Sequence, residues 1–412
     1  MEEIKIKTGF SQKKNEKEAV SEVFEKINQE NIKLIIIFCD GNYDQLKINE
    51  AWREKISPET ALIGCPGLKI STPFFKVGKM ITNQGYRYCM TAMSIASDKI
   101  DVAVRLMRDV KNNWEKASTQ ALMEGAKTLG LDLRDINNEK CFGLFFCDTS
   151  SGREENILEN FYAMSNLLFV GGGSYGRMDL VNWVIRGEGG PMRGYVHTRE
   201  GVFMDAAAIA LVKSDIPFRI NFVTNFFPTQ TKFEVTKANE IHIGNMKMWR
   251  VDELNGRPAL DEYTKALGVS KFALGFENLP NLPFFLNHPL GFMIRDKAYI
   301  RFIGVRRGKS LVMSSKVEEG KTLYLMERMD LSEVMRQTMD NLRKELGFIS
   351  GIILFQCGLQ KLDADKNKET EKFLKTINVA PLIGLCTFRE YYGWLALEQS
   401  LVILSIGDIN KK

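Results

Sequence analysis

Gly143-Leu144-Phe145-Phe146-Cys147 and Leu167-Leu168-Phe169-Val170-Gly171 are two short apolar runs, with Cys147 and Gly171 24 positions apart and an amphipathic polar stretch between them. Such a run fits a strand covered on both faces, and a helix joining two of them makes them parallel neighbours. The pair reads as a βαβ unit. The same unit recurs on either side. Upstream, residues 34–39 (LIIIFC) lead to 61–64 (ALIG), with Cys39 and Gly64 25 positions apart. Downstream, residues 351–357 (GIILFQC) lead to 380–384 (APLIG), 27 positions from Cys357 to Gly384. Three internal copies therefore organise the chain. Cys39, Cys147 and Cys357 each sit where a strand ends, a place that faces either a ligand crevice or the core, and free Cys prefers the core.

After each unit come strands and tight turns: KVGKMITNQGYRYCMTAMSIA at 76–96, the glycine-rich 183–212, and 394–407. These read as antiparallel. Residues 102–129 carry apolar side chains at helical spacing (Val104, Met107, Val110, Trp114) and stop before Gly130. Residues 330–346 open on an Asp-Leu-Ser capping signal and close at Gly347. The expected fold class is α/β of a mixed α+β kind: repeated βαβ units followed by antiparallel strands, in mixed sheets with outer helices. The units are too few and too interrupted for a (β/α)₈ barrel. Prolines gather at 268–289, which divides the chain into parts 1–270 and 271–412, and a weaker boundary lies at 135–140.

The chain has 412 residues, 44% hydrophobic and 26% charged, enough for two or three cores and typical of globular proteins. Fifty-six Lys and Arg against 51 Asp and Glu leave a net charge of +5, too weak for a phosphate-neutralising surface, so no nucleic-acid partner is expected. The apolar runs fall far short of the ~18 residues that cross a bilayer, and MEEIKIKTGF lacks a secretory apolar region. We expect no membrane insertion and a cytoplasmic location. Seven cysteines without a C-x-x-C pair suit neither a disulfide framework nor a zinc ribbon. Three histidines, His197, His242 and His288, are too far apart for a local metal motif.

Several stretches carry chemistry. The glycine run Gly171-Gly172-Gly173-Ser174-Tyr175-Gly176 follows a strand and offers backbone donors for a phosphate or carboxylate, but RMDLVNWVIRGEGG follows it where a phosphate-binding loop needs Lys-Ser/Thr and a helix. The same run is a literal G-x-S-x-G, which would make Ser174 the nucleophile of a serine hydrolase with His197 as the first base to test. Thr149, Ser150, Ser151 and Gly152 place hydroxyls at a strand's carboxyl end, where they either bind a ligand or cap the helix starting near Arg153. Phe388-Arg389-Glu390-Tyr391-Tyr392 sets a Glu beside Arg and aromatics, fit to hold an amine or to be an exposed ion pair. Arg301, like Arg306 and Arg307, is fit to bind a carboxylate or to be solvated.

With these residues in view the chain resembles the FIST family, a family of sensory domains with an N-terminal and a C-terminal part. The N-terminal resemblance spans 20 to about 270: LIIIFCD, ALIGC at 61–65, FCDTSSG at 146–152, VGGGSYGRMD at 170–179, and VDELNGRPAL at 251–260 followed by Tyr263. The C-terminal one spans about 271 to 408, with Tyr299-Ile300-Arg301, Glu319-Gly320 and PLIGLCTFREYYG at 381–393. The resemblance implies sensing of small ligands such as amino acids beside kinase-type signalling partners, a histidine kinase being one. It also implies, for some members, haem held by a His, for which His242 is the first candidate. Two departures stand out: Cys65-Pro66-Gly67-Leu68-Lys69 lacks the Glu that follows the first unit in the family, and Arg389 replaces the Gly before the family's Glu.

The combined expectation is a sensory protein of signal transduction that binds a small polar ligand, an amino acid or similar, without turnover and without a cofactor unless haem is bound. Its lining would be Thr149, Ser150, Ser151, Gly172, Gly173 and Ser174 as donors, Arg301 as counter-charge and Glu390 for an amine. A haem-based gas sensor and a serine hydrolase are the alternatives.

Overall fold

The computed structural model describes residues 4–67, 75–76, 79–80, 88–175, 194–243, 246–276, 279–280 and 282–408. The fold is the α+β class expected, with mixed sheets and outer helices. Each βαβ unit is the middle of a larger repeat of four strands. In the first, the strands are Lys5–Ser11, Ile32–Asp40, Ala61–Gly67 and Met90–Ala96, with helices Glu16–Ile27 and Gln45–Lys55 in the first two connections. The strand made last, Met90–Ala96, lies antiparallel between Lys5–Ser11 and Ile32–Asp40, and Ile32–Asp40 runs parallel to Ala61–Gly67. The second repeat has the same order with strands Ile100–Arg108, Cys141–Asp148, Phe169–Ser174 and Ala206–Ser214 around helices Val110–Leu129 and Glu154–Met164.

The third repeat comprises strands Phe218–Val223, Ile349–Cys357, Leu382–Thr387 and Leu401–Gly407, with helix Leu331–Leu346. It is opened between its first strand and that helix by residues 226–328, which form a separate antiparallel sheet with its own apolar core around Tyr263, Phe285 and Leu311. Strands Phe226–Ile243 and Met246–Leu254, from before residue 270, pair in that sheet with Thr322–Arg328 and Ser310–Met313, from after it.

The repeats are interlocked by hairpins. Val196–Thr198 of the second pairs with Ala61–Gly67 of the first, Glu390–Tyr392 of the third pairs with Phe169–Ser174 of the second, and Phe75–Lys76 of the first lies beside Leu382–Thr387 of the third. The inner faces of the three sheets share one core. At its centre Phe38, Phe146 and Phe355, equivalent in the strand register, form a triangle with ring centroids 5.8, 6.2 and 6.0 Å apart, tilted or edge to face as aromatic quadrupoles favour.

This register corrects three readings. The glycines of the motif do not end their strands. Gly64 and Gly171 sit mid-strand, where a Cβ would come within 1.9 Å of the Ile37 carbonyl oxygen and 1.8 Å of that of Phe145, so only glycine lets the parallel neighbours close up. Cys39 and Cys147 are equivalent, but Cys357 falls one place further and Gln356 takes their position. Residues 102–129 are not one helix: Ile100–Arg108 is a strand, and Asp109, at φ +53°, turns the chain into helix Val110–Leu129. Helix Leu331–Leu346 forms as expected, with Asp330 Oδ1 accepting from the Ser332 and Glu333 amides. All seven cysteines are buried outside any disulfide, and burial pushes the thiols of Cys39, Cys65, Cys141, Cys147, Cys357 and Cys386 up, Cys386 to about 12.

Candidate functional site

The carboxyl end of the second repeat is built around Asp148. Its Oδ1 accepts from the Ser150 amide, the Ser150 hydroxyl and the Gly194 amide, and its Oδ2 accepts from the Asp205 amide. Burial raises the carboxyl above its ordinary value, and these four bonds work against that. Ser150 is thus spent on fixing the turn Thr149–Ser151, and Ser151 Oγ accepts from the Arg153 amide at the start of helix Glu154–Met164. Neither serine caps the helix as the alternative reading had it: Arg153 is its N-cap, without a side-chain cap bond, and it is Asp148 that caps the turn Thr149–Ser151. Gly172 and Gly173 belong to a strand, and Gly173 donates its amide to the Arg389 carbonyl, so the run is a ladder and not an anion cradle. RMDLVNWVIRGEGG and Gly176 lie outside the described residues.

Ser174 is fully buried. Its hydroxyl donates to the Tyr195 carbonyl at 2.6 Å and accepts from the Tyr195 amide. His197 pairs elsewhere: Nε2 lies 2.9 Å from Gln45 Oε1 and Nδ1 3.4 Å from Asn49 Nδ2, and burial lowers its pKa to about 3. The nucleophile and base of the hydrolase reading are therefore not brought together. His242 stands exposed near the end of the hairpin formed by Phe226–Ile243 and Met246–Leu254. An exposed side chain gives a haem no apolar enclosure, so this position does not fit that group.

Glu390 and Arg389 are buried, not an exposed pair. Both Glu390 oxygens accept hydroxyl hydrogens, from Thr387 at 2.9 Å and Ser400 at 2.8 Å, and burial pushes the carboxyl well above the usual carboxylate range. Arg389 is the joint of the molecule. It pairs with Glu154 at 2.8 Å, lies 3.9 Å from Glu398, and donates to the Ser314 carbonyl of the inserted sheet. Glu398 in turn accepts the Phe302 amide at 2.9 Å. Beside this joint is a cavity of about 110 Å³ lined by Thr149, Glu154, Trp249 and Arg389, among others. Thr149 Oγ1, Glu154 Oε2 and Arg389 Nε are buried there without a hydrogen-bond partner among the described residues, a polar set that ordered water or a polar ligand group would satisfy.

A larger cavity of about 570 Å³ opens next to it and shares Glu155, Glu159 and Lys316 as lining. It lies between helix Glu154–Met164, the hairpin at 390–397 and the inserted sheet. Arg301 sits in its lining, 5% exposed. Its Nε donates to the Lys316 carbonyl at 2.9 Å, its Nη1 to the Ile300 carbonyl at 3.1 Å, and its guanidinium lies 4.8 Å from the Phe292 ring centroid. No carboxylate among the described residues comes within ion-pair distance of it, and burial pulls its pKa below the arginine value while Glu155 and Glu398 act at longer range to raise it. The structure thus places Arg301 in one cavity and Thr149 in its neighbour, with Gly172 and Glu390 side by side in the sheet beneath. Glu155, Glu159, Phe292 and Trp394 also line this cavity and carry no motif that marks them in the sequence. Glu155 lies in the first turn of helix Glu154–Met164 and Glu159 one turn further on, positions where acids are ordinary in sequence.

Fold and site together define a protein of three cyclically interlocked βαβ-based repeats, whose inserted sheet walls a ligand-sized crevice. The chain belongs to the FIST family: residues 33–252 match the FIST N domain and residues 259–392 the FIST C domain. This is a family of signal-transduction sensory domains. An uncharacterized protein of Methanocaldococcus jannaschii is 27% identical over 227 residues, a match that covers 52% of this chain and 40% of that protein. No helix among the described residues is long and apolar enough to cross a membrane.

Proposed function

We propose that this sensory protein binds a small carboxylate-bearing ligand in the 570 Å³ cavity and that Arg301 anchors the carboxylate. The observation that carries the reading is the Arg301 guanidinium, buried, in the lining of that cavity and bonded, among the described residues, to two main-chain carbonyls. A buried cation with no carboxylate in contact is costly even with Glu155 and Glu398 acting at longer range, and a ligand carboxylate would supply that contact with bidentate geometry. Glu155 and Glu159, one helical turn apart at the mouth, suit the amine of a zwitterion such as an amino acid and take the role first expected of Glu390. Binding occurs without turnover. Arg389 and Glu398 then connect the ligand-bearing sheet to helix Glu154–Met164, a route by which occupancy reaches the surface read by a signalling partner of the kinase type in the cytoplasm.

Thermal unfolding against a panel of carboxylates, amino acids and their amides tests this. A ligand bound only by the folded state at a hundred times its Kd adds about 2.7 kcal/mol of stability. We expect carboxylates to raise Tm, their amides not to, and Arg301→Gln to abolish the shift while leaving the unliganded protein folded. Equal shifts from acids and amides would refute the anchor.

A further inference from the structure

Resting on the reading of Arg301 as a carboxylate anchor, we infer that the cavity's ligand is an amphipathic acid with a sizeable apolar body, an aromatic or medium-chain carboxylate, and not a compact polar amino acid. The division of the lining argues for it. Of the charged and polar groups at the mouth, Glu159, Lys316, Glu318, Lys321 and Thr322 are exposed and Glu155 is half-buried. Lys316 and Glu318 already neutralise each other at 2.8 Å. Inside, the buried lining consists of Val317, Leu323, Leu395 and Ala396, with Arg301 as the charged group among them.

Phe292, Met293 and Ile294 continue the apolar wall along one strand, and Trp394 stands at its edge. Phe292 is itself held in place, stacked on Tyr299 with centroids 5.6 Å apart and planes 11° from parallel. Arg301 therefore meets a ligand over an aromatic face and beside aliphatic side chains, while the carboxylates that suit an amine stand further out, Glu155 half-buried and Glu159 exposed. A volume of 570 Å³ lies within the roughly 300–1,000 Å³ of sites that enclose drug-sized molecules. A compact amino acid seated on Arg301 would leave most of the apolar wall wet, whereas an aryl or alkyl chain would displace that water.

The test is calorimetric titration of the full chain with 3-phenylpropionate, indole-3-propionate and octanoate against alanine, serine and glutamate, alongside 3-phenylpropionamide. We expect the three apolar acids to bind at least tenfold more tightly than the compact amino acids, the amide to lose most of the affinity, and Trp394→Ala to weaken the aryl acids about tenfold. Because Trp394 is partly exposed at the edge, its truncation leaves the fold intact, and the acid-to-amide comparison probes Arg301 on the unaltered protein should Arg301→Gln not fold. Compact amino acids binding as tightly as the apolar acids, in an Arg301-dependent way, would overturn this inference and leave the carboxylate anchor standing. Absence of binding by every carboxylate would overturn both.

Discussion

His197 supplies a quantitative check on the buried architecture. The Asn49 amide nitrogen is a donor, so Nδ1 of His197 accepts from it and Nε2 carries the proton donated to Gln45 Oε1. The neutral ring is satisfied on both sides, and a second proton would set N–H against N–H. Burial lowers the pKa from 6.5 to about 3. Between those values the unfolded chain binds a proton that the folded chain does not, so stability rises with pH from about 3 to 6.5 and is lost on acidification at up to ~1.36 kcal/mol per unit. From pH 7 to pH 5 this one group removes about 2 kcal/mol by that linkage. Urea unfolding of the protein and of His197→Gln at pH 5, 6 and 7 isolates the term, because the carboxylates titrate alike in both. The expected result is a pH dependence about 2 kcal/mol shallower in the variant over that range. Parallel profiles, or an imidazole that titrates near 6.5 by NMR in the folded state, would sink the argument.

Other substitutions probe the centre and the joint. Phe146→Ala opens a cavity in the aromatic triangle and should cost about 3–5 kcal/mol by denaturant unfolding, with Phe355→Ala similar; a loss below 1 kcal/mol would mean that the three sheets do not share that core. Arg389→Met strands the Glu154 carboxylate and should cost about 3–5 kcal/mol, and adding Glu154→Met should recover much of it, which a double-mutant cycle reads directly. Glu390, with its pKa raised in the folded state, holds a proton that the unfolded chain releases above about 4.5, so it subtracts stability as pH rises through that window; Glu390→Gln should flatten the fall, and an unchanged slope would contradict its burial. Gly171→Ala should destabilise severely, since its Cβ would meet the Phe145 carbonyl, and a wild-type Tm would show the strand spacing to be wrong.

The three βαβ units were legible because both of their strands are buried on two faces and so read as unbroken apolar runs. The fourth strand of each repeat was harder to place. Met90–Ala96, Ala206–Ser214 and Leu401–Gly407 are apolar too, but their position between the first two strands is a long-range pairing with no local signature. Residues 100–129 misled because strand passes to helix through Asp109 alone, and Val104, Met107 and Val110 mimic a helical stripe. In the strand, Ala103 and Met107 face the helices while Val102 and Val104 face the shared core. For the site, Arg301 was visible by type, but its cavity joins residues 155–159, 292–301, 316–324 and 394–396, which only the insertion brings together. Glu390 was chosen over Arg389, and burial reversed their importance.

The placement of the last strand of each repeat bears on how the chain is made. During synthesis Phe218–Val223 emerges well before Leu401–Gly407, the strand that must slot between it and Ile349–Cys357. Until then the nascent third sheet has two unpaired apolar edges held apart by more than a hundred residues of inserted sheet, and closing so long a loop late is slow and open to aggregation. The final strand acts as a keystone: a ribosome-stalled chain that ends before residue 401 would hold two finished repeats and a folded insertion, yet remain a client for chaperones.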